Sequence, residues 1–140
     1  MARKTPLYGT GMVFGVFDGL HAGHKNFLTQ AQGRCKKLIV AAAHEQVVKT
    51  IKGHLPRFSF EKRAQALRSF NPDANIILGD PMIETWSALK TYRPDIVFLG
   101  YDQQLLAQKL KEMHIPFLFL DAHLPKKYKS SILHESAVTK

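Results

Sequence analysis

The chain has 140 residues, of which 45% are hydrophobic, and this size and composition are typical of a single globular domain over residues 1–140. No apolar run approaches the ~18 residues of a membrane span, and no signal-peptide core follows the basic start, so we expect a cytoplasmic protein with no membrane partner. The net charge of +9 favours polyanionic ligands, but the basic residues are scattered without an aromatic-interleaved stripe, which argues against a stable nucleic-acid partner.

Apolar runs and capping residues predict an alternating series of strands and helices. Short apolar runs predict strands over residues 11–17, 38–43, 74–79, 95–100 and 116–121. Amphipathic spacing predicts helices over residues 23–35, 60–70, 82–92 and 103–113, and a short helix from about Ser130. Residues 44–58 are expected to be a basic connection, and Cys35 is expected on the buried side of the first helix.

This alternation predicts an α/β fold: a Rossmann-like open parallel five-stranded sheet with helices on both faces. The nearly continuous apolar strands agree with this interpretation, because such strands are buried on both sides. In open parallel sheets, ligands bind beyond the carboxyl ends of the strands. The polar motifs of this chain follow strands, so we expect them to share one site.

Two histidines mark the start of the first predicted helix. His21 and His24 are three residues apart, with Gly23 between them, directly after an apolar strand. A helix N-terminus attracts anions, and two imidazoles one turn apart can both point at a bound phosphate. Gly23 leaves room for a ligand to approach the backbone. This arrangement suits nucleotidyl transfer, in which charge develops on an α-phosphate.

The run Gly15-Val16-Phe17-Asp18-Gly19-Leu20-His21-Ala22-Gly23-His24 resembles the G-x-F-D-x-x-H-x-G-H signature of the cytidylyltransferase-like nucleotidyltransferases. The resemblance implies transfer of NMP from an NTP to a phosphorylated small molecule, with release of pyrophosphate. It implies that His21 and His24 are catalytic and stabilise the α-phosphate. The residues that it implies contact the nucleotide are Gly15, Val16, Phe17 and Gly23.

Basic residues after the second strand match further positions of the family. The resemblance implies that Lys52 reaches the phosphates or the acceptor, with Lys49 as a second candidate. Arg63, on the helix after Ser59, resembles the family's helix-borne arginine, whose planar fork can hold phosphate oxygens. Asp18 is expected to orient the histidine turn or the substrate rather than to act as a base.

Two later segments complete the expected nucleotide site. Gly100 and Asp102 follow the fourth strand, where Asp102 can accept a hydrogen bond from a ribose hydroxyl or the base, or cap the next helix. A basic segment before the last helix resembles the C-terminal signature of the family and the K-x-x-K-S phosphate loop of class I aminoacyl-tRNA synthetases. The residues that it implies for the β- and γ-phosphates are Lys129, Ser130 and Ser131.

The motif around Phe14 to His21 and the Gly100-Tyr101-Asp102-Gln103 turn look like the FMN adenylyltransferase branch, so ATP and FMN are the leading substrates. Phe17, Phe58 and Tyr101 could build a flat slot for the isoalloxazine ring. The alternative is a glycerol-3-phosphate cytidylyltransferase that uses CTP, from whose pattern Val16 and His44 depart. A non-catalytic nucleotide- or nucleic-acid-binding domain is the third hypothesis.

The chemistry implied by the resemblance also sets the expected cofactor and assembly. Magnesium is expected with the triphosphate, bound mainly by phosphate oxygens, and no protein metal site is predicted. The remaining histidines show no metal-ligand spacing. A homodimer is a further hypothesis for the assembly of this protein.

Overall fold

The computed structural model of the protein describes residues 8–80 and 86–120. The strands of this part are β1 Tyr8–Gly15, β2 Cys35–Ala42, β3 Asn75–Leu78, β4 Ile96–Leu99 and β5 Phe117–Phe119. Its helices are α1 Ala22–Arg34, α2 Glu45–Lys52, α3 Phe60–Phe70, α4 Ser87–Tyr92 and α5 Gln104–Glu112. Within these residues, no helix is long and apolar enough to cross a membrane.

The five strands form one parallel sheet in the order β3-β2-β1-β4-β5, which confirms the predicted architecture. From β1 the chain moves outward through β2 to β3, then crosses back to β4 on the other side of β1. The order therefore reverses between β1 and β4. Ligands of doubly wound folds bind at such a switch point, outside the carboxyl ends of the strands.

Each face of the sheet is covered by its own pair of helices. On one face, Leu28 of α1 and Leu67 of α3 pack against strand residues such as Val40. On the other face, Leu89 of α4 and Leu110 of α5 pack against residues such as Val97. Burying each of these side chains contributes roughly 1.5–3 kcal/mol. The two cores hold the sheet rigid and leave its carboxyl edge to present loops.

The sequence prediction for residues 44–58 was wrong, because this connection contains the helix α2. His44 caps α2 by accepting the N–H of Gln46 at its Nδ1, 3.1 Å away. Gly53 ends the helix with a left-handed φ of 83°. Val48 is buried and anchors α2 to the domain. Histidine is an uncommon N-cap, so the usual start signal of a helix is missing here.

Cys35 also differs from its prediction, since it is the first residue of β2 rather than the last of the helix. Its side chain is buried as expected, and burial raises the pKa of the thiol. The predicted α3 and its cap Ser59 are confirmed, with Ser59 Oγ accepting from the N–H of Lys62 at 3.3 Å. The predicted helix from about Ser130 lies outside the described residues.

Candidate active site

The turn between β1 and α1 joins His21 and His24 to each other and to the start of the helix. His21 is the N-cap of α1, and its Nδ1 accepts from the backbone N–H groups of Gly23 (3.0 Å) and His24 (3.4 Å). In return, His24 Nδ1 accepts from the backbone N–H of His21 at 3.3 Å. The two rings stack with their centroids 3.8 Å apart. The motif therefore forms a capping box whose two side chains are histidines.

These contacts assign a protonation state to both rings. A ring nitrogen accepts a hydrogen bond only when it carries no proton, so each ring is assigned the neutral form with its proton on Nε2. The backbone N–H groups of Gly23 and His24, which would lack partners at an uncapped helix start, are bonded to His21. The donors that this turn can offer to an anion are therefore mainly the two Nε2–H groups.

The surroundings of His24 keep its ring neutral. Burial lowers its pKa, and the neighbouring His21 lowers it further. The backbone of Gly19 and the charge of Asp102 raise the pKa, while Lys52 lowers it, and the result is about 4. His24 is thus neutral at pH 7. Lys52 follows β2 and Asp102 follows β4, the two neighbours of β1 in the sheet. Both side chains lie within electrostatic range of the His24 ring.

Phe17 packs against the histidine turn from the side of the core. Its ring is 4% exposed and meets the ring of His24 edge-on, with centroids 5.6 Å apart. Its φ of 53° is left-handed, which is costly for an aromatic residue and is a kind of strain that clusters at functional sites. A Cβ on Gly15 would come within 2.7 Å of this ring, so Gly15 makes room for Phe17. The expected aromatic slot cannot use Phe17, because its side chain fills the core.

Asp18 holds a second loop against the turn. Its carboxylate accepts from the backbone N–H groups of Arg57 (2.7 Å) and Phe58 (2.9 Å). Burial opposes ionisation, but these bonds and the charges of Arg57 and Arg63 outweigh it and lower the pKa of Asp18. The carboxylate is therefore ionised at pH 7 and acts on protein groups. Asp18 therefore joins the loop before α3 to the loop after β1, and its role in orienting the turn or the substrate stays a prediction.

Arg63 ties together three loops at the carboxyl edge of the sheet. The side chain is 1% exposed, and its Nη1 donates to the carbonyl oxygens of Val16 (3.0 Å) and Ala43 (2.8 Å). Its Nε donates to the carbonyl of Phe58 at 3.0 Å, and Nη2 has no hydrogen-bond partner among the described residues. Burial lowers the pKa of Arg63. This geometry is that of a buried brace, whereas the sequence suggested a phosphate ligand.

The two predicted lysines lie on the last turn of α2, and both are exposed. Lys52 precedes the C-terminal cap Gly53, and its charge reaches His24. Lys49 lies three residues before Lys52, and its backbone carbonyl accepts the N–H of Gly53 at 2.8 Å. The helix that the sequence did not predict is therefore the element that positions Lys52.

The turn after β4 carries Asp102 and a residue whose role the sequence did not predict. Gln103 donates from Nε2 to the carbonyl of Phe14 and accepts at Oε1 from the N–H of Gly100, both at 2.9 Å. A Cβ on Gly100 would lie 3.2 Å from Asp102 Oδ1, so this glycine makes room for the carboxylate. The available signal was a polar tetrapeptide, Gly-Tyr-Asp-Gln, placed directly after a buried strand.

An open groove lies beside the histidine turn. Its volume is about 610 Å³, within the usual range for small-molecule sites, and its lining residues are Gly19, Phe58, Lys62, Arg63, Gln65, Ala66 and Ser69. Gly19 also lies in the loop between β1 and the histidine turn. Phe58 is 37% exposed and Tyr101 is 42% exposed, so both rings present accessible faces.

Three expected phosphate ligands, Lys129, Ser130 and Ser131, lie outside the described residues. In the part of the chain that is described, no three His, Cys, Asp or Glu side chains are grouped so that they could hold a metal ion. The structure thus brings His21, His24, Lys52 and Asp102 to one edge of the sheet, with Asp18 and Arg63 bracing the surrounding loops.

Comparison with known proteins assigns this arrangement to a family. The family profile described as "Cytidylyltransferase-like" matches residues 12–133. A protein of Thermococcus sibiricus named FAD synthase is 34% identical over 128 residues, which are 89% of this chain and 85% of that protein. A FAD synthase of Pyrococcus abyssi is 39% identical over 101 residues, covering 72% of this chain and 68% of its own.

A solved structure shows the same fold. The structure described as a lipopolysaccharide core biosynthesis protein from Thermoplasma volcanium has a TM-score of 0.70 and 26% identity, and the match covers 81% of this chain and 97% of that one. The sheet order, the histidine turn and the family profile over residues 12–133 all indicate the same family. This chain belongs to the cytidylyltransferase-like family and is a nucleotidyltransferase.

Proposed function

We propose that this protein transfers the AMP group of ATP to the phosphate of FMN, producing FAD and pyrophosphate. The observation that carries the proposal is the similarity to archaeal proteins named FAD synthase, three of which are 34%, 39% and 37% identical over 89%, 72% and 71% of this chain. The histidine turn supports the proposal, because neutral hydrogen-bond donors at a helix start can stabilise the negative charge that develops on the α-phosphate oxygens.

The reaction is a displacement at the α-phosphorus of ATP. A phosphate oxygen of FMN attacks this atom and forms the new P–O bond. The bond from the α-phosphorus to the bridging oxygen of the β-phosphate breaks, and its electron pair leaves with pyrophosphate. No protein nucleophile is required, so the protein contributes positioning and charge stabilisation. The Nε2–H groups of His21 and His24 donate to the α-phosphate oxygens as their negative charge increases.

Charged residues around the turn hold the two substrates. Lys52 neutralises phosphate charge beside His24, and Lys49 extends the cationic surface of α2 towards the acceptor. Asp102 accepts from the ribose or the base of the nucleotide. The segment Lys129-Ser130-Ser131 contributes donors to the β- and γ-phosphates. The net charge of +9 accelerates the encounter with both anionic substrates.

Magnesium enters with the nucleotide. Mg²⁺ prefers oxygen ligands and is commonly bound through substrate phosphates and one or two carboxylates. The phosphate oxygens of ATP would hold the ion, because residues 8–80 and 86–120 contain no group of three His, Cys, Asp or Glu side chains that could do so. When bound, the ion neutralises phosphate charge and favours the departure of pyrophosphate.

The groove beside Phe58 suits the flavin. Gly19, two residues before His21, lines this groove, so an acceptor lying in it has its phosphate near the reacting centre. The exposed face of Phe58 can stack on the isoalloxazine ring, and Lys62 and Gln65 offer polar contacts. Glycerol 3-phosphate has no ring that could stack on Phe58.

A substrate panel tests the proposal. The purified protein is incubated with Mg²⁺, each of the four common NTPs, and either FMN or glycerol 3-phosphate, and the products are separated by chromatography. We expect FAD from ATP and FMN, and a rate of FAD formation about 10²–10³-fold lower from the His24→Ala variant purified in the same way, which excludes a contaminating host enzyme. Product from CTP and glycerol 3-phosphate, with none from ATP and FMN, would replace this function with that of a cytidylyltransferase.

A further inference from the structure

The two central strands separate at the carboxyl edge of the sheet. Pairing between β1 and β4 is limited to Gly11 with Ile96 and Met12 with Val97. On its other side, β1 stays paired with β2 as far as Gly15. On its own outer side, β4 stays paired with β5 as far as Leu99. The ends of β1 and β4 therefore leave a crevice between them, and this crevice lies at the switch point of the fold.

One side chain bridges this crevice. Gln103 Nε2 donates to the carbonyl of Phe14 on β1, and Gln103 Oε1 accepts from the N–H of Gly100 at the end of β4, each at 2.9 Å. The carboxamide thus replaces a backbone hydrogen bond between the two strands. Its Nε2 donates to a residue of β1, and its Oε1 accepts from the residue that follows β4. Gln103 is partly buried, so these bonds are shielded from water and strengthened.

The same side chain also fixes the turn that carries Asp102. The backbone N–H of Gln103 donates to the carbonyl of Gly100 at 3.0 Å, and the side chain returns to the N–H of Gly100. Two hydrogen bonds therefore join the first and last residues of the turn. Tyr101 and Asp102 lie between these anchors and are exposed, with Asp102 in electrostatic range of His24.

We propose that Gln103 is a positioning residue for the nucleotide, because its carboxamide sets the width of the crevice between β1 and β4 and the direction of Asp102. The inference rests on the proposed function, since it assumes that ATP binds at this crevice. Gln103 does not have to touch the nucleotide. It acts through the carbonyl of Phe14 and the turn from Gly100 to Asp102, so its loss affects ATP and leaves FMN unaffected.

Gln103→Glu is the sharpest variant, because it keeps the shape and the acceptor but replaces the donor with a carboxylate oxygen facing the carbonyl of Phe14. The control is Gln108→Glu, which introduces the same charge at an exposed position of the same helix. We expect Gln103→Glu to raise the KM for ATP by about tenfold, the effect of losing a hydrogen bond and adding a repulsion. The KM for FMN stays within twofold of the wild-type value, and Gln108→Glu matches the wild type for both substrates.

Gln103→Met supplies a neutral second variant, with a similar shape and no amide. Calorimetry with α,β-methylene-ATP measures nucleotide binding independently of turnover, and circular dichroism verifies the fold. We expect weaker binding of the analogue by both variants. If either folded variant binds the analogue as the wild type does, or if the KM for FMN rises as much as that for ATP, the inference is wrong. A wild-type protein that binds the analogue but does not form FAD contradicts the proposed function instead.

Discussion

At the scale of single residues, the proposed reaction uses His24 as a neutral hydrogen-bond donor. Its Nδ1 is bonded to the backbone of His21, and burial lowers the pKa of the ring to about 4. A neutral donor is a weak partner for a ground-state phosphate and a better one for an oxygen that gains charge. Such a group lowers the barrier more than it tightens the binding of substrate.

Replacing His24 tests this role directly. His24→Ala removes the donor, and we expect kcat to fall by about 10²–10³ with little change in the KM for ATP. His24→Gln restores a neutral N–H donor and should recover part of the rate. His114→Gln, beyond the C-terminal end of α5, is the control and should keep wild-type kinetics. Equal losses for the Ala and Gln variants would show that the donor is not what matters at this position.

The lowered pKa of His24 also predicts how stability changes with pH. Between pH about 4 and about 6.5, the unfolded chain binds a proton at this residue and the folded chain does not. The free energy of unfolding therefore falls as the pH drops through this range. We expect the Tm of the wild type to decrease more than that of His24→Gln between about pH 7 and pH 5. Equal decreases in thermal melts would mean that the folded His24 titrates normally.

The sequence was sufficient to find the histidine pair but not to describe its contacts. The spacing of His21 and His24 after an apolar strand predicted their proximity at a helix start. It could not reveal that the rings use their Nδ1 atoms to cap the helix, because histidine is not among the preferred N-caps. From the sequence, Phe17 is a candidate for the ligand slot, but its side chain lies in the core. Its left-handed φ, which sets the direction of the side chain, has no signature in the sequence.

At the scale of elements, the site is assembled by loops that are braced to one another. Arg63 on α3 reaches the carbonyls of Val16, Ala43 and Phe58, and Asp18 reaches the backbone at Phe58 from the other side. These hydrogen bonds thus join the loops after β1 and β2 to the segment before α3. Sequence patterns predict each element, but not that one arginine joins three of them, since the contacts span up to 47 positions of the chain.

Arg63→Lys tests the brace. The ammonium of lysine cannot reproduce the planar fork, so buried carbonyls lose their partners. We expect a loss of about 3 kcal/mol in the free energy of unfolding, within the usual range for breaking a buried hydrogen-bond network. Arg68→Lys, at an exposed position in the last turn of α3, should change stability very little. A folded Arg63→Lys protein with wild-type stability in urea titration but a raised KM for ATP would instead support the phosphate contact suggested by the sequence.

At the scale of the whole molecule, the sheet order makes the site. The reversal between β1 and β4 brings α2, with Lys52, and the turn after β4, with Asp102, to opposite sides of the histidine turn. The alternation of strands and helices was sufficient to predict this sheet, because buried parallel strands have a strong apolar signature. The helix α2 was not predicted, because it is short and its N-cap is a histidine, His44.

Isotope labelling shows most directly whether the phosphoryl group transferred to the flavin is the α-phosphate of ATP. The protein is incubated with FMN, Mg²⁺ and ATP labelled with ³²P at either the α- or the γ-position, and the flavin and pyrophosphate fractions are counted. We expect the α-label to appear in FAD and the γ-label in pyrophosphate. Label from the γ-position in the flavin, or no label in any flavin product, would contradict the transfer of AMP to FMN.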